Sequence, residues 1–263
     1  MSYIDDNKKA WEQAFMHRSG AYAKDLTKRL ELNDVSFFHK DFLEELNAYP
    51  FENKNVAQFC CNNGRELLEL SKRNINQGIG FDIAKNMVEN ANDIATNLTL
   101  PAKFIETNIL KLESKYNGFF DYGLITVGVL CWFKDLNEFF KKVSQSLKTN
   151  GRLFIHESHP FGNMLATKEE PKYDASNHKL LVYDYFGNTV WKDQEMGYMS
   201  GSLKTESVFT SYAHTLSDIF AAMHKNHLTL TVFKEHGYCV GNIFNHLDHQ
   251  GLPLSMIMVA KKG

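Results

Sequence analysis

Two groups of residues in this sequence carry the chemistry: a turn paired with a carboxylate early in the chain, and a set of histidines late in it. The turn is Gln58-Phe59-Cys60-Cys61-Asn62-Asn63-Gly64, and Asp82 follows eighteen residues after Gly64. An apolar run leads into the turn, a leucine-rich run leaves it, and Asp82 closes a second apolar run. That order reads as strand, tight turn, helix start, second strand. It is how α/β folds hold a nucleoside-containing cofactor, with the carboxylate accepting both ribose hydroxyls. The same carboxylate could instead only cap the helix after it. The turn is poor in glycine. Asn62 is the non-glycine type that best tolerates positive φ, so the turn can persist. A dinucleotide needs more, because its pyrophosphate must sit against a glycine-lined helix N-terminus, and NAD is disfavoured on that ground.

The histidines are His156 and His159 in His156-Glu157-Ser158-His159-Pro160, His214, and the pair His246 and His249. His156 and His159 are three apart, so an extended strand points them to opposite faces. The spacing is not that of the HExxH zinc helix, and no metal is expected. His159 leaves its strand at the end and is the better placed to meet a substrate. His214 precedes a helix cap and reads as structural, and His246 with His249 reads as solvated loop. The cysteines Cys60, Cys61, Cys131 and Cys239 form no CxxC, which fits reduced thiols in a cytoplasmic protein.

The elements that must position these residues can be read from periodicity. Within residues 1–50, Trp11, Ala14 and Phe15 form one apolar stripe. A second helix is expected over 34–47, capped by Asn33, with Phe38, Phe42 and Leu46 on one side. Strands are then expected at 55–60, 78–82, 102–105, 120–127 and 152–158, alternating with helices at 65–73, 84–98 and 136–147. The last of these carries Leu136, Phe139, Phe140, Val143 and Leu147 on one face, with Asn150-Gly151 as its left-handed cap. Residues 161–213 break the rhythm with strand-like runs at 180–186, 189–191 and 207–212, the first two joined by a Gly187-Asn188 hairpin signal. Thr215 then caps a helix, and strands at 228–233 and 254–260 are joined by a long polar loop.

Of 263 residues, 43% are hydrophobic and 23% charged, ordinary globular composition for one large domain or for one domain with an elaborate insertion. The net charge of −2 supplies no basic field for a phosphate backbone, so nucleic acid is not an expected partner. No apolar run reaches membrane-spanning length.

Seven strands, the last two joined without a helix, differ from the six parallel strands of dinucleotide folds. The series resembles the class I S-adenosylmethionine-dependent methyltransferases, closely over 55–160 and in outline over 214–262. The fold implied is an α/β, Rossmann-like seven-stranded, mostly parallel sheet with an antiparallel last strand. N-terminal helices over 1–50 would cover the core of 51–160 and 214–263, and a small antiparallel insertion at 161–213 would serve as substrate lid or dimer contact. The resemblance implies S-adenosylmethionine as cofactor, with Gln58, Phe59, Cys60, Asn62 and Gly64 around its methionine end. Gln58 stands where the family has an acidic residue, and Cys60 and Asn62 stand where it has glycine. Asp82 would hold the ribose, Ile83 and Met87 pack on ribose or adenine, and Asn108 with the Ile109 amide read the adenine edge. Thr126 and the segment to Trp132 would lie beneath the transferred methyl, with Trp132 and His159 as the residues that orient or deprotonate the acceptor. Tyr3, Trp11 and His17 would close over the cofactor. The expected activity is methyl transfer to a small molecule, in a possible homodimer. The alternatives are a catalytically silent cofactor-binding protein and an enzyme acting on RNA or protein.

Overall fold

A computed structural model describes residues 2–22, 24–32 and 36–263. Three helices come first: α1 (Tyr3–Met16), α2 (Leu26–Leu32) and α3 (Lys40–Asn47). Ser2 and Asp5 close a reciprocal capping box on α1. The helix expected from residue 34 begins only at Lys40, with His39 as its cap, because the ring Nδ1 accepts the Asp41 amide. The expected cap Asn33, and Asp34 beside it, lie outside the described residues. Phe38, Phe42 and Leu46 are all buried, as their spacing requires.

The alternating part runs β1 (Asn55–Phe59), α4 (Arg65–Leu70), β2 (Gln77–Asp82), α5 (Lys85–Asn97), β3 (Ala102–Glu106), β4 (Phe120–Ile125), α6 (Leu136–Ser146) and β5 (Leu147–Ser158). The insertion contributes β6 (Val190–Glu195), α7 (Gly197–Ser200) and β7 (Lys204–Tyr212). The chain closes with α8 (Leu216–Lys225), β8 (Leu228–His236) and β9 (Ser255–Lys262). The large sheet has the order β3-β2-β1-β4-β5-β9-β8, with β9 antiparallel to both neighbours. The order reverses between β1 and β4, which opens a crevice beyond the carboxyl ends of the strands.

Each sheet face buries its own core. Ala57, Phe59, Ile79 and Phe81 face Leu136, Phe139, Phe140 and Val143 of α6 together with Ile219 and Met223 of α8. Val56, Leu124 and Phe154 face α3, α4 and α5 on the other side. Phe139 is fully buried, and truncating such a ring costs about 3–5 kcal/mol.

Two expectations fail for physical reasons. Asn150-Gly151 does not cap α6, which ends at Ser146 and passes directly into β5. Asn150, at φ +64°, instead sits where the β4–β5 register shifts, and a Cβ on Gly151 would meet the Lys148 carbonyl at 2.8 Å. A bulge, not a cap, uses this pair. Likewise 180–186 forms no hairpin with 189–191; it makes one isolated bridge, Leu165 to Leu181. Asp184 accepts the Phe186 amide at 2.9 Å through its side chain and the Gly187 amide at 3.2 Å through its carbonyl, turning the run back on itself. The pairing that does form is β6 with β7.

Candidate functional site

The turn after β1 keeps its shape without its glycines. Cys60, Asn62 and Gly64 have φ of +54°, +53° and +72°, so every second residue is left-handed. Gly64 is also required sterically: a Cβ there would sit 2.2 Å from the Phe104 ring, and one on Gly80 would sit 2.4 Å from it. Asp82 ties the turn to the next strand. Its Oδ2 accepts the Asn62 amide at 2.7 Å and its Oδ1 the Ala84 amide at 2.9 Å. Burial pushes its carboxyl up to about 6, against the pull of those amides and that of Ile83. Two amides do not exhaust a carboxylate, which has about four acceptor sites. Beside it, Asn63 is buried and its Oδ1 has no hydrogen-bond partner.

Gln58 departs from expectation. It is fully buried, and its Oε1 accepts the Leu67 amide at 3.2 Å, capping α4 in place of the side chain Gly64 lacks. Its Nε2 donates to Thr126 Oγ1 at 3.1 Å. Gln58 is therefore a strut between β1, α4 and the end of β4, sealed from the crevice. Phe59 is likewise core, stacked 6.0 Å from Phe81, and only its backbone borders the turn. Cys60 is half-buried at the crevice, and burial pushes its thiol well up.

Along the crevice, Ile83 is half-buried and Met87 is buried beneath α1 with Phe15 and Met199. Asn108 caps a short 3-10 turn, its Oδ1 accepting the Leu110 amide at 3.0 Å, and Ile109 behind it is buried. Trp132 ends a 3-10 turn and meets Trp11 edge-on at 5.2 Å and Phe209 of β7 at 6.1 Å; Trp11 and Phe209 are 5.1 Å apart. Tyr3 packs on Tyr212 at 5.3 Å, and its hydroxyl accepts the Lys134 amide at 3.4 Å. His17 follows α1 as its exposed C-cap.

Helix α1 is the surface on which the insertion packs. Asn7 pairs with the Thr210 backbone in both directions, at 2.9 and 2.7 Å, and Gln13 Oε1 accepts the Glu206 amide at 2.9 Å. On the core side Glu12 accepts the Lys85 amide at 3.0 Å, and Lys8 pairs with Glu106 at the end of β3. The insertion reaches the crevice through α1.

The histidines are elsewhere. His159 caps the 3-10 turn after β5, where its Nδ1 accepts the Phe161 amide at 3.1 Å and its Nε2 lies 3.1 Å from Glu235 Oε1 of β8. Its Nδ1 is committed to the cap, its Nε2 is buried close to Glu235 without forming a hydrogen bond, and burial lowers its pKa, so the geometry shows a capping role and not that of the expected acceptor base. His156 lies on the opposite face, as strand alternation requires. It stacks on Phe42 at 5.1 Å, and burial holds its pKa down to about 3. His214 Nε2 lies 2.9 Å from the Phe133 carbonyl. Among the described residues no group of three His, Cys, Asp or Glu is placed to hold a metal.

Two contributors escaped sequence reasoning. Asn63 carried no signal beyond its place in the turn. Glu157 had one: a carboxylate just after the apolar run Leu153-Phe154-Ile155, at the end of an interior strand. It is buried and accepts four backbone amides, from Gly128 (2.6 Å), Val129 (2.8 Å), Leu130 (3.2 Å) and Ser158 (2.8 Å).

Comparison with known proteins agrees with this architecture. Residues 57–155 match a family model described as a methyltransferase domain. No curated protein matches the chain. An S-adenosylmethionine-dependent methyltransferase from Mesorhizobium loti is similar with a TM-score of 0.63 and 16% identity, covering 83% of this chain and 96% of its own. One from Clostridium acetobutylicum gives 0.59 and 15%, over 90% and 96%. Geranyl diphosphate C-methyltransferase from Streptomyces coelicolor, in complex with Mg2+, geranyl diphosphate and S-adenosyl-L-homocysteine, gives 0.62 and 11%, over 100% and 98%.

Proposed function

We propose that this chain is a class I S-adenosylmethionine-dependent methyltransferase, a reading supported by the match of residues 57–155 to a methyltransferase domain, and that it methylates a small-molecule acceptor held beneath α1 and the insertion. The observation that carries the acceptor class is the aromatic wall of Trp11, Trp132 and Phe209, which come from α1, the post-β4 turn and β7. Three separated elements packed together at the carboxyl ends of the strands fit a small ligand better than the open basic groove that RNA needs. The relative similar over the whole chain, insertion included, holds a small acceptor, which supports the same size class.

The residues present fit the cofactor. Asp82 has acceptor capacity left for ribose hydroxyls, and beside it the buried Asn63 Oδ1 lacks a hydrogen-bond partner. Asn108 offers its amide nitrogen, and Ile109 its backbone, on the adenine side; Ile83 borders the sugar. S-adenosylmethionine supplies an already activated methyl group, so transfer asks for in-line placement in a dry site more than for acid–base chemistry. Trp132 and Trp11 supply the flat apolar surface that orients an acceptor and excludes water. Residues 161–213 act as the lid, and the enzyme works in the cytoplasm, where its four thiols stay reduced.

The test is labelled-methyl transfer against three pools: small metabolites, total RNA and unfolded protein. Label entering the small-molecule pool, and reduced in Trp132→Ala, supports the reading. Label entering RNA or protein alone sinks the acceptor class, and cofactor binding without transfer to any pool favours a silent binding protein.

A further inference from the structure

The four amides on Glu157 have a geometry of their own. Gly128, Val129 and Leu130 are consecutive, Gly128 is left-handed at φ +82°, and their N–H groups converge on one side chain. Successive backbone N–H groups arranged in this way form a concave nest that binds anions. Here the anion is built in. Glu157 fills the nest from β5, and its Oε1 also accepts the Ser158 amide, so both oxygens are occupied. The segment so held runs straight into Cys131 and Trp132, and the Cys131 thiol turns back onto the Gly128 carbonyl at 3.6 Å. A Cβ on Gly128 would meet nothing within 4 Å, so glycine is there for its conformation, not for space.

We propose that Glu157 is a positioning residue of the crevice: its carboxylate is the resident anion that fixes segment 128–130 and thereby the Trp132 wall against which the acceptor is placed. The proposal rests on the methyltransferase reading for the meaning of the wall, but not for the anion in the nest. Its negative charge is the working property. Glutamine is nearly isosteric, yet it would turn an NH2 group toward amide donors and leave at least one of them without an acceptor. Aspartate keeps the charge with a shorter reach.

The experiment is amide NMR and hydrogen exchange on the free full-length protein, comparing wild type, Glu157→Gln and Glu157→Asp. The wild type should show slow exchange at 128–130 and a downfield Gly128 amide proton, the signature of a short charge-assisted bond. Glu157→Gln should lose both while β1 and β2 amides stay protected, and Glu157→Asp should recover part of the protection. Labelled-methyl transfer to the small-metabolite pool, with S-adenosylhomocysteine titration beside it, reads the consequence: roughly tenfold lower transfer in Glu157→Gln with S-adenosylhomocysteine affinity within about threefold of wild type. Wild-type protection and shifts at 128–130 in Glu157→Gln would overturn the proposal, as would a loss of protection spread evenly over the sheet. Failure of the wild type to bind S-adenosylhomocysteine would overturn the cofactor reading instead, with the nest result standing apart from it.

Discussion

Two buried carboxylates organise the two sides of the crevice, and they differ in what they leave free. Asp82, on the β2 side, accepts two amides and holds the turn after β1 to its own strand. Glu157, on the β5 side, accepts four and has no oxygen to spare. The imbalance teaches which carboxylate is scaffold and which can meet a ligand. A buried charge with spare lone pairs and a pKa pushed up to about 6 is waiting for donors; a saturated one is not.

The comparison breaks most sharply at Asp82. Asp82→Ala removes the two acceptors proposed for the ribose and the tie to Asn62, and should weaken S-adenosylhomocysteine binding by about a hundredfold or more, at about 1.5–3 kcal/mol per hydrogen bond to a charged group. Calorimetry checks it, and a loss under threefold would make Asp82 a helix cap and nothing else. Next is pH. Donors from a ligand favour the ionised carboxyl, so affinity is full above a pKa of about 6 and falls as protonation takes over below it. Between pH 7 and 5 the loss should be roughly tenfold, and Asp82→Asn should flatten the profile. The stability sign is opposite: a carboxyl raised on folding costs stability as pH rises from its unfolded value near 3.8 through about 6, so Asp82→Asn should be relatively more stable at pH 7 than at pH 4.

The aromatic wall gives a smaller and different signature. Trp132→Ala should cut methyl transfer about tenfold or more while S-adenosylhomocysteine affinity moves less than threefold, because on the proposed reading the ring borders the acceptor and not the nucleoside. His159→Ala should leave transfer unchanged and lower stability by about 1–2 kcal/mol, the cost of a lost cap. The smallest effect belongs to the turn. Cys60→Gly and Asn62→Gly relieve left-handed strain but loosen the unfolded chain, and should shift stability by no more than about 1 kcal/mol either way.

The sheet was legible because its strands and helices announce themselves by periodicity, and helix α6 with Phe139, Phe140 and Val143 buried is the clearest case. What periodicity does not carry is the direction of a polar side chain. The place of Gln58 at a strand end suggests a ligand contact, yet a glycine N-cap leaves α4 without a side-chain acceptor and Gln58 turns inward to supply it. His159 was read toward the crevice, but the last strands of the sheet bring Glu235 within 3.1 Å and draw the ring that way. The aromatic cluster was the least legible part: Trp11, Trp132 and Phe209 are nearly 200 residues apart at the extremes and show no mutual spacing. Asp82 and the left-handed turn were legible because backbone conformation, which sequence does encode, fixes them.

The central claim is that the crevice at Asp82 holds S-adenosylmethionine despite a turn with one glycine. Calorimetric titration of the full chain with S-adenosylmethionine tests it most directly, with Asp82→Asn alongside. The account predicts saturable one-to-one binding that weakens sharply in the variant. No binding at millimolar cofactor, or equal binding by both proteins, would contradict it.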